Sequence, residues 1–319
     1  MRRLVEERVR HAVSAWDRFW FAPVDTSTLA LFRIAVATVI LSWTLALAPS
    51  LYAFYSRDGI LPAYPRYEGT LAWGLIEYFP GNAAVTLFYF LLLIGSICLL
   101  FGFLTRLAAF IVFVCVVSFA HRNPWVLNSG DLLVQVLAFY LMLAPAGEAL
   151  SIDRWLKSGS SFWDFPARSI WPLRLVQVQV SILYVAAVWA KVRGVTWNDG
   201  TAVSYALRIG DLQRLPVPGF ITDSLVISNF LTFGTLAIEL AIGILVWNRI
   251  LRPWVLLLGV SLHLGIDYAV RVGFFSWAVL VAYVAFVPPD SARSFILSLR
   301  DWAARLTLPR WAPSARRPE

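Results

Sequence analysis

Lys191 closes an apolar run, SILYVAAVWA, and Glu239 stands in the middle of another, FLTFGTLAIELAIGIL, with no Asp, Glu, Lys or Arg within eight positions on either side. An amine at the edge of an apolar pocket can serve as a general base near neutral pH. A carboxyl inside an apolar span either ties helices together by hydrogen bonds or handles a proton in a pocket. His263 and Asp267 are four apart, so they share a helix face, and Arg271 extends the row. Other polar groups cluster in short stretches: Arg57 in Tyr55-Ser56-Arg57-Asp58-Gly59, then His121-Arg122-Asn123, then Asn128 and Asp131 in Asn128-Ser129-Gly130-Asp131, and Trp197 and Asp199 in Trp197-Asn198-Asp199-Gly200. Gathered at one depth, these residues make a site. Lys191 and His263 are its catalytic candidates. Glu239, Asp267, Trp197, Asp199, Asn128, Asp131 and Arg57 line its pocket, with Trp197 and Asp199 folding over as a lid. The alternative is ordinary polarity of an exposed surface.

The elements that must position these residues are set by composition. The 319 residues are 59% hydrophobic and 14% charged, with 15 Trp, 22 Phe and 11 Tyr, and the mean hydropathy is +0.70. Soluble domains run at about 45–50% apolar and about 25% charged, so this apolar mass does not fit inside a water-soluble globule. Disorder is excluded as well, because it requires low hydrophobicity and high charge. Cys98 and Cys115 both fall inside apolar runs and read as small core residues. Three His and two Cys without motif spacing supply no zinc or iron–sulfur ligand set. The net charge of +8 reads as the arginine excess that membrane proteins keep on the cytoplasmic side, and no nucleic-acid-binding motif accompanies it.

A spanning helix needs about 20 mostly apolar residues. Eight stretches meet or approach that need: 27–48, 83–104, 107–121, 131–146, 170–190, 226–248, 252–270 and 273–288. The expected fold is therefore all-α, a polytopic transmembrane helical bundle of about eight spans. The first apolar run follows a charged stretch and is long enough to span, unlike a cleavable signal peptide. Residues 1–26 form a segment of their own, with Leu4, Val9, Val13, Trp16 and Trp20 on one helical face, the pattern of an interfacial amphipathic helix. Pro23 and Asp25-Thr26-Ser27 are placed to cap the first span. Residues 27–290 form the membrane domain. Residues 291–319 form a basic amphipathic tail, in which Phe295, Leu299, Trp302, Leu306 and Trp311 alternate with Arg293, Arg300, Arg305 and Arg310, and whose end, Pro313 to Glu319, is expected to be disordered. Within the spans, Arg33 is expected to snorkel to the headgroups. Arg174, Gln177 and Gln179 are expected to join helices or line a pocket.

Orientation follows from Lys and Arg. With the amino terminus inside, the inner segments hold 17 of the 27 and the outer segments hold 8, with Arg33 and Arg174 inside spans. This places both termini in the cytoplasm and the cluster around Lys191 and His263 on the outer side. No fixed-period repeat is visible.

The stretches PVDTSTLALFRIAVATVIL, YSRDGILP and RNPWVLNSGDLLVQVLAFYLMLAP, followed by SIDRW, AKVRGVTWNDG and HLGIDYAVRVGFFSWAVLVAYVAFVPP, come in an order that resembles the HTTM (horizontally transferred transmembrane) domain. That is the membrane domain of vitamin K-dependent γ-glutamyl carboxylase and of many bacterial proteins, and the likeness spans roughly 20–290. The resemblance implies an integral protein of the bacterial inner membrane with chemistry facing outward. It also implies a quinone or quinol as cofactor, with a lysine as the base that deprotonates the quinol. Aligned on Trp197, Lys191 meets the first of two family lysines and Val192 the second; one residue is a rotation of about 100° on a helix. Gly130 falls where the carboxylase has a functional His, and His263 matches a family His. The carboxylase also continues into a large lumenal region that holds its substrate, with no counterpart here.

Three functions follow. The first is an enzyme or enzyme component binding a quinone-like, lipid-soluble ligand in an outward-facing intramembrane pocket. The second is a non-enzymatic partner in the maturation of a secreted peptide or neighbouring protein. The third is a transporter, which the missing repeat and the few intramembrane charges disfavour. The expected partners are membrane lipid, a quinone, and a peptide or protein, but not nucleic acid.

Overall fold

The computed structural model describes residues 2–62, 73–78, 81–158 and 162–307. Arg66, Arg310, Trp311 and the tail Pro313 to Glu319 lie outside them. Fifteen α-helices are present among the described residues. In order they are α1 (Arg2–Phe21), α2 (Ser27–Leu47), α3 (Leu51–Tyr55), α4 (Asn82–Phe101), α5 (Thr105–Arg122), α6 (Ser129–Leu143), α7 (Ile152–Ser158), α8 (Trp171–Lys191), α9 (Val195–Asn198), α10 (Ala202–Leu207), α11 (Gly219–Asp223), α12 (Leu225–Leu245), α13 (Arg252–Ala269), α14 (Phe275–Tyr283) and α15 (Pro289–Thr307). The fold is all-α apart from two three-residue strands, β1 (Pro23–Asp25) and β2 (Ala167–Ser169), paired antiparallel with Val24 opposite Arg168.

The long helices run back and forth, with short connections between α4 and α5, α5 and α6, α12 and α13, and α13 and α14. The bundle therefore has one end at which α2, α5, α8 and α13 begin and another at which α4, α6, α12 and α14 begin. The first, termed the terminal end, carries the end of α1 and the root of α15. There β1 and β2 join the start of α2 to the start of α8. The Ser27 hydroxyl donates to the Pro289 carbonyl (2.9 Å) and Thr28 to the Val287 carbonyl (3.1 Å), which fixes the root of α15 beside α2. Thr26 is the N-cap of α2 but makes no side-chain cap. Asp25 instead accepts from the Ser27 amide (2.9 Å) and hydroxyl.

A second knot at this end involves Arg33, which does not snorkel. Its side chain is fully buried. It donates to the carbonyls of Ala146 (2.9 Å), Ala149 (3.3 Å) and Leu150 (2.5 Å). The turn after α6 thus hands its otherwise unpaired acceptors to a cation from α2, and a burial penalty becomes a tertiary link. Gly102 makes room for it. Its φ of +67° suits the left-handed end of α4, and a Cβ there would sit 2.6 Å from an Arg33 nitrogen and 2.4 Å from Ser151 Cβ. Two residues on, Leu104 holds φ +46°. Asp153 answers that strain by accepting from the Leu104 amide (2.8 Å), the Thr105 amide (2.8 Å) and the Thr105 hydroxyl (2.7 Å). Partial burial alone would push the Asp153 carboxyl up. The Thr105 hydroxyl and the two amides outweigh burial and hold it below the ordinary carboxylate value.

All eight apolar stretches are helical, but eight crossings exceed what length and composition support. Five helices qualify among the described residues: the first from Ser27, then α4, α5, α8 and α12. A sixth is reached only by joining Phe275–Phe286 to Pro289–Leu306 across a bend of 107°. At 15 residues α6 is roughly 22 Å long, short of a hydrocarbon core of about 30 Å. The bend also turns α15 away from the bundle axis. Ala292 and Ile296 are buried against α2, while Phe295, Leu299, Trp302 and Leu306 stay exposed along the helix, as an interfacial helix requires. In α1, Val5, Val9, Val13 and Trp16 are exposed likewise.

Two outcomes are expected. Replacing Arg33 with Leu strands three buried carbonyls and should destabilise the protein by about 3 kcal/mol. Arg33→Lys should lose less, because an ammonium still donates. Equal unfolding midpoints in detergent for wild type and Arg33→Leu would refute the link. In a background lacking Cys98 and Cys115, Arg57→Cys and Asp301→Cys should react with impermeant thiol reagents from opposite sides of the membrane; reaction from one side would refute the topology.

Candidate functional site

The helical period of α8 aligns Arg174, Gln177, Ser181, Tyr184 and Lys191 on one face, at offsets of three, seven, ten and seventeen residues. Apolar helices flank this face, so each polar group on it needs a partner from another element. Near the terminal end, the Arg174 guanidinium donates to the Phe19 carbonyl (3.0 Å) and to Gln177 (2.7 Å), and lies 4.6 Å from the Phe19 ring centre. Gln177 donates to the Ala285 carbonyl (2.6 Å). Ser181 accepts from the Trp247 indole (2.8 Å). Gln179, on a different face, accepts from Tyr140 (3.2 Å).

Toward the far end the partners become chemically interesting. The Lys191 ammonium donates to both carboxylate oxygens of Glu239, each at 2.7 Å. Glu239 sits in the middle of α12 with its side chain 9% exposed, while that of Lys191 is 24% exposed. The expectation from sequence treated these two residues separately; the structure makes them one ion pair. The indole of Trp197, in the short helix α9, lies 5.3 Å from the Lys191 nitrogen and adds a cation–π contact. The chain after α8 therefore turns back so that Trp197 reaches Lys191.

Two turns before Lys191, the Tyr184 hydroxyl hydrogen-bonds to Nε2 of His263 (2.7 Å) and to the Tyr283 hydroxyl. Tyr184, His263 and Tyr283 are all buried, and come from α8, α13 and α14. Close helix approach makes this possible. A Cβ at Gly259 would lie 2.5 Å from the Tyr283 hydroxyl, and one at Gly243 would lie 3.0 Å from Val185. Glycines at these positions let α13 meet α14 and α12 meet α8. The ion pair and the trio lie along one face of α8, with Tyr184 two turns before Lys191. His263 Nδ1 is buried and has no hydrogen-bond partner among the described residues.

Most of the other residues expected at the site have partners outside the ion pair and the trio. Asp267 pairs with Arg214 (2.8 Å), and its other oxygen is buried without a hydrogen bond among the described residues. That pair belongs to the segment around Gln213, which bridges to Val270 and docks across the end of α13. Asp199 accepts from the Thr201 amide (3.1 Å) and hydroxyl (2.6 Å), holding the turn that leads into α10. Asn128 and Asp131 form a reciprocal capping box at the start of α6. Arg57 is exposed. Tyr184 and Tyr283 were not singled out from sequence, because a tyrosine in an apolar run reads as one more hydrophobe. The available signal was the polar spacing of α8, which puts Tyr184 in line with Lys191.

A family model, the HTTM domain, matches residues 21–290. The match covers most of the chain, and the protein belongs to the HTTM family. No curated protein and no solved structure matches the chain significantly.

The ion pair makes a sharp prediction. Lys191→Met leaves a largely buried carboxylate without its cation and should cost about 3 kcal/mol. Glu239→Met should cost a similar amount, whereas the double variant should recover most of the loss because nothing charged is then left unpaired. Additive losses in thermal unfolding would show that the two groups do not interact.

Proposed function

We propose that this HTTM-family membrane protein binds a quinone-like, lipid-soluble ligand in an intramembrane pocket at the far end of the bundle, with Lys191 as the base. The observation that carries the reading is the unpartnered Nδ1 of His263, buried among apolar helices beside an ion pair. A buried donor or acceptor without a partner is costly, and an oxygen of a bound ligand relieves that cost. With Tyr283 donating to Tyr184 and Tyr184 donating to Nε2, every hydroxyl proton in the trio is used. The ring proton then sits on Nδ1 and is a donor for a ligand oxygen.

A quinol supplies an acidic hydroxyl and two electrons when bound. The chain supplies proton handling. Transfer of a proton from Lys191 to Glu239 leaves a neutral amine and a neutral acid. The amine can then take the proton of a ligand hydroxyl, while Glu239 retains the one it received. The Trp197 face covers the ammonium and limits access of water. Asp267, Asp199, Asn128, Asp131 and Arg57 belong to the rim of this pocket in the proposal. The positive-inside pattern supports a site facing outward with both termini in the cytoplasm, and the proposal sets it in a bacterial inner membrane.

The test is the ligand itself. Protein extracted into lipid nanodiscs should carry a quinone at about one per chain by mass spectrometry, and Lys191→Met or His263→Ala should reduce that ratio at least several-fold while the protein stays folded. Absence of quinone from the wild type, together with a stable complex with another protein, would favour the reading of a maturation partner.

A further inference from the structure

At the terminal end, far from Lys191, a groove of about 430 Å³ opens between the link from α4 to α5, the turn after α6, and α7. That volume lies in the range of small-molecule sites, about 300–1,000 Å³. Pro145, Ala146 and Gly147 line the groove from the turn after α6. Gly147 approaches so closely that a Cβ there would lie 2.7 Å from the Thr105 hydroxyl. Four charged residues line it: Arg106, Glu148, Asp153 and Lys157. The two acids are already committed. Glu148 pairs with Arg168 (2.7 Å), and Asp153 accepts the three hydrogen bonds that hold the start of α5. The two cations are not. Both are exposed, and neither makes a hydrogen bond or an ion pair among the described residues; Lys157 acts on Asp153 only at longer range. With Arg33 buried behind Asp153, the groove and its immediate partners hold four cations against two anions.

The groove also has an apolar exit. Leu104 and Leu107 line it, and each is 53% exposed; Phe110, one turn further along α5, is 52% exposed. These side chains continue onto the lipid-facing surface of a spanning helix. A ligand that fits both features has an anionic head and an alkyl tail. A free anion would use the cations and leave the apolar exit bare.

We propose that this groove binds an anionic phospholipid, with the phosphate of its headgroup between Arg106 and Lys157 and an acyl chain along Leu107 and Phe110. The site is independent of the ligand pocket at the opposite end and stands or falls without it. A basic side chain near a membrane surface favours an anionic lipid about five-fold, so the two together should give roughly thirty-fold.

The test uses delipidated full-length protein in a neutral detergent, titrated with phosphatidylglycerol or phosphatidylcholine and read by native mass spectrometry. Phosphatidylglycerol should be retained roughly thirty-fold better. Arg106→Gln and Lys157→Gln should each lose part of that preference and the double variant nearly all of it. The lipid-free unfolding midpoint should not change, since neither side chain holds the fold. Inorganic phosphate at millimolar concentration should fail to displace the lipid. Equal retention of the two lipids, or a double variant that keeps the preference, would overturn the proposal; displacement by phosphate would overturn the lipid in favour of a free anion. If the double variant does not fold, the single variants read the same preference.

Discussion

Hydrocarbon offers no hydrogen bonds, so a polar atom inside a membrane bundle must be answered by another part of the chain. The inner face of α8 shows that constraint at work from one end to the other. Arg174 is met by the carbonyl of Phe19, Gln177 by the carbonyl of Ala285, Ser181 by Trp247, Tyr184 by His263 and Tyr283, and Lys191 by Glu239. These contacts reach α1, the turn after α14, the end of α12, then α13, α14 and the middle of α12. Helices that would otherwise slide on apolar surfaces are thereby given a register. The exception is Nδ1 of His263, which has no partner among the described residues, and the functional proposal rests on it.

The parts of this architecture that depend on local periodicity were readable in the residues. Runs such as the one from Ser27 to Leu47 are apolar on all sides, and the amphipathic faces of α1 and α15 repeat at helical spacing. What sequence does not carry is which residues meet across helices. Lys191 and Glu239 each stood out, but 48 positions separate them, and their pairing depends on the close contact of α12 with α8 at Gly243. Arg33 was misjudged for a related reason. Near a helix start, snorkelling is the cheap outcome, but the turn after α6 supplies three carbonyls at the same level. Asn128 and Asp131 look like chemistry when read as a polar cluster. Read as an N-cap and its third helical residue, they are a helix start.

The two ends of the bundle divide the work. The terminal end is tied by backbone acceptors and buried charge: the Arg33 carbonyl cluster, the Asp153 cap on α5, and the anchoring of α15 by Ser27 and Thr28. The far end is tied by side chains that can exchange protons, with Tyr184, His263, Tyr283, Glu239 and Lys191 drawn from four helices. Carbonyl–guanidinium contacts have fixed protonation and serve as anchors. Hydroxyl, imidazole, carboxyl and amine groups can redistribute protons without moving the helices that carry them.

The bend of 107° before α15 has a geometric consequence for the bilayer. At 19 residues this helix is roughly 28 Å long and about 10 Å across, so lying flat it fills roughly 280 Å². That area is added to the leaflet at the level where α2 and α8 begin, because Ser27 and Thr28 fix the root of α15 there. A leaflet that takes up such a helix must spread or give up lipid, so this one helix favours a membrane that bows toward it.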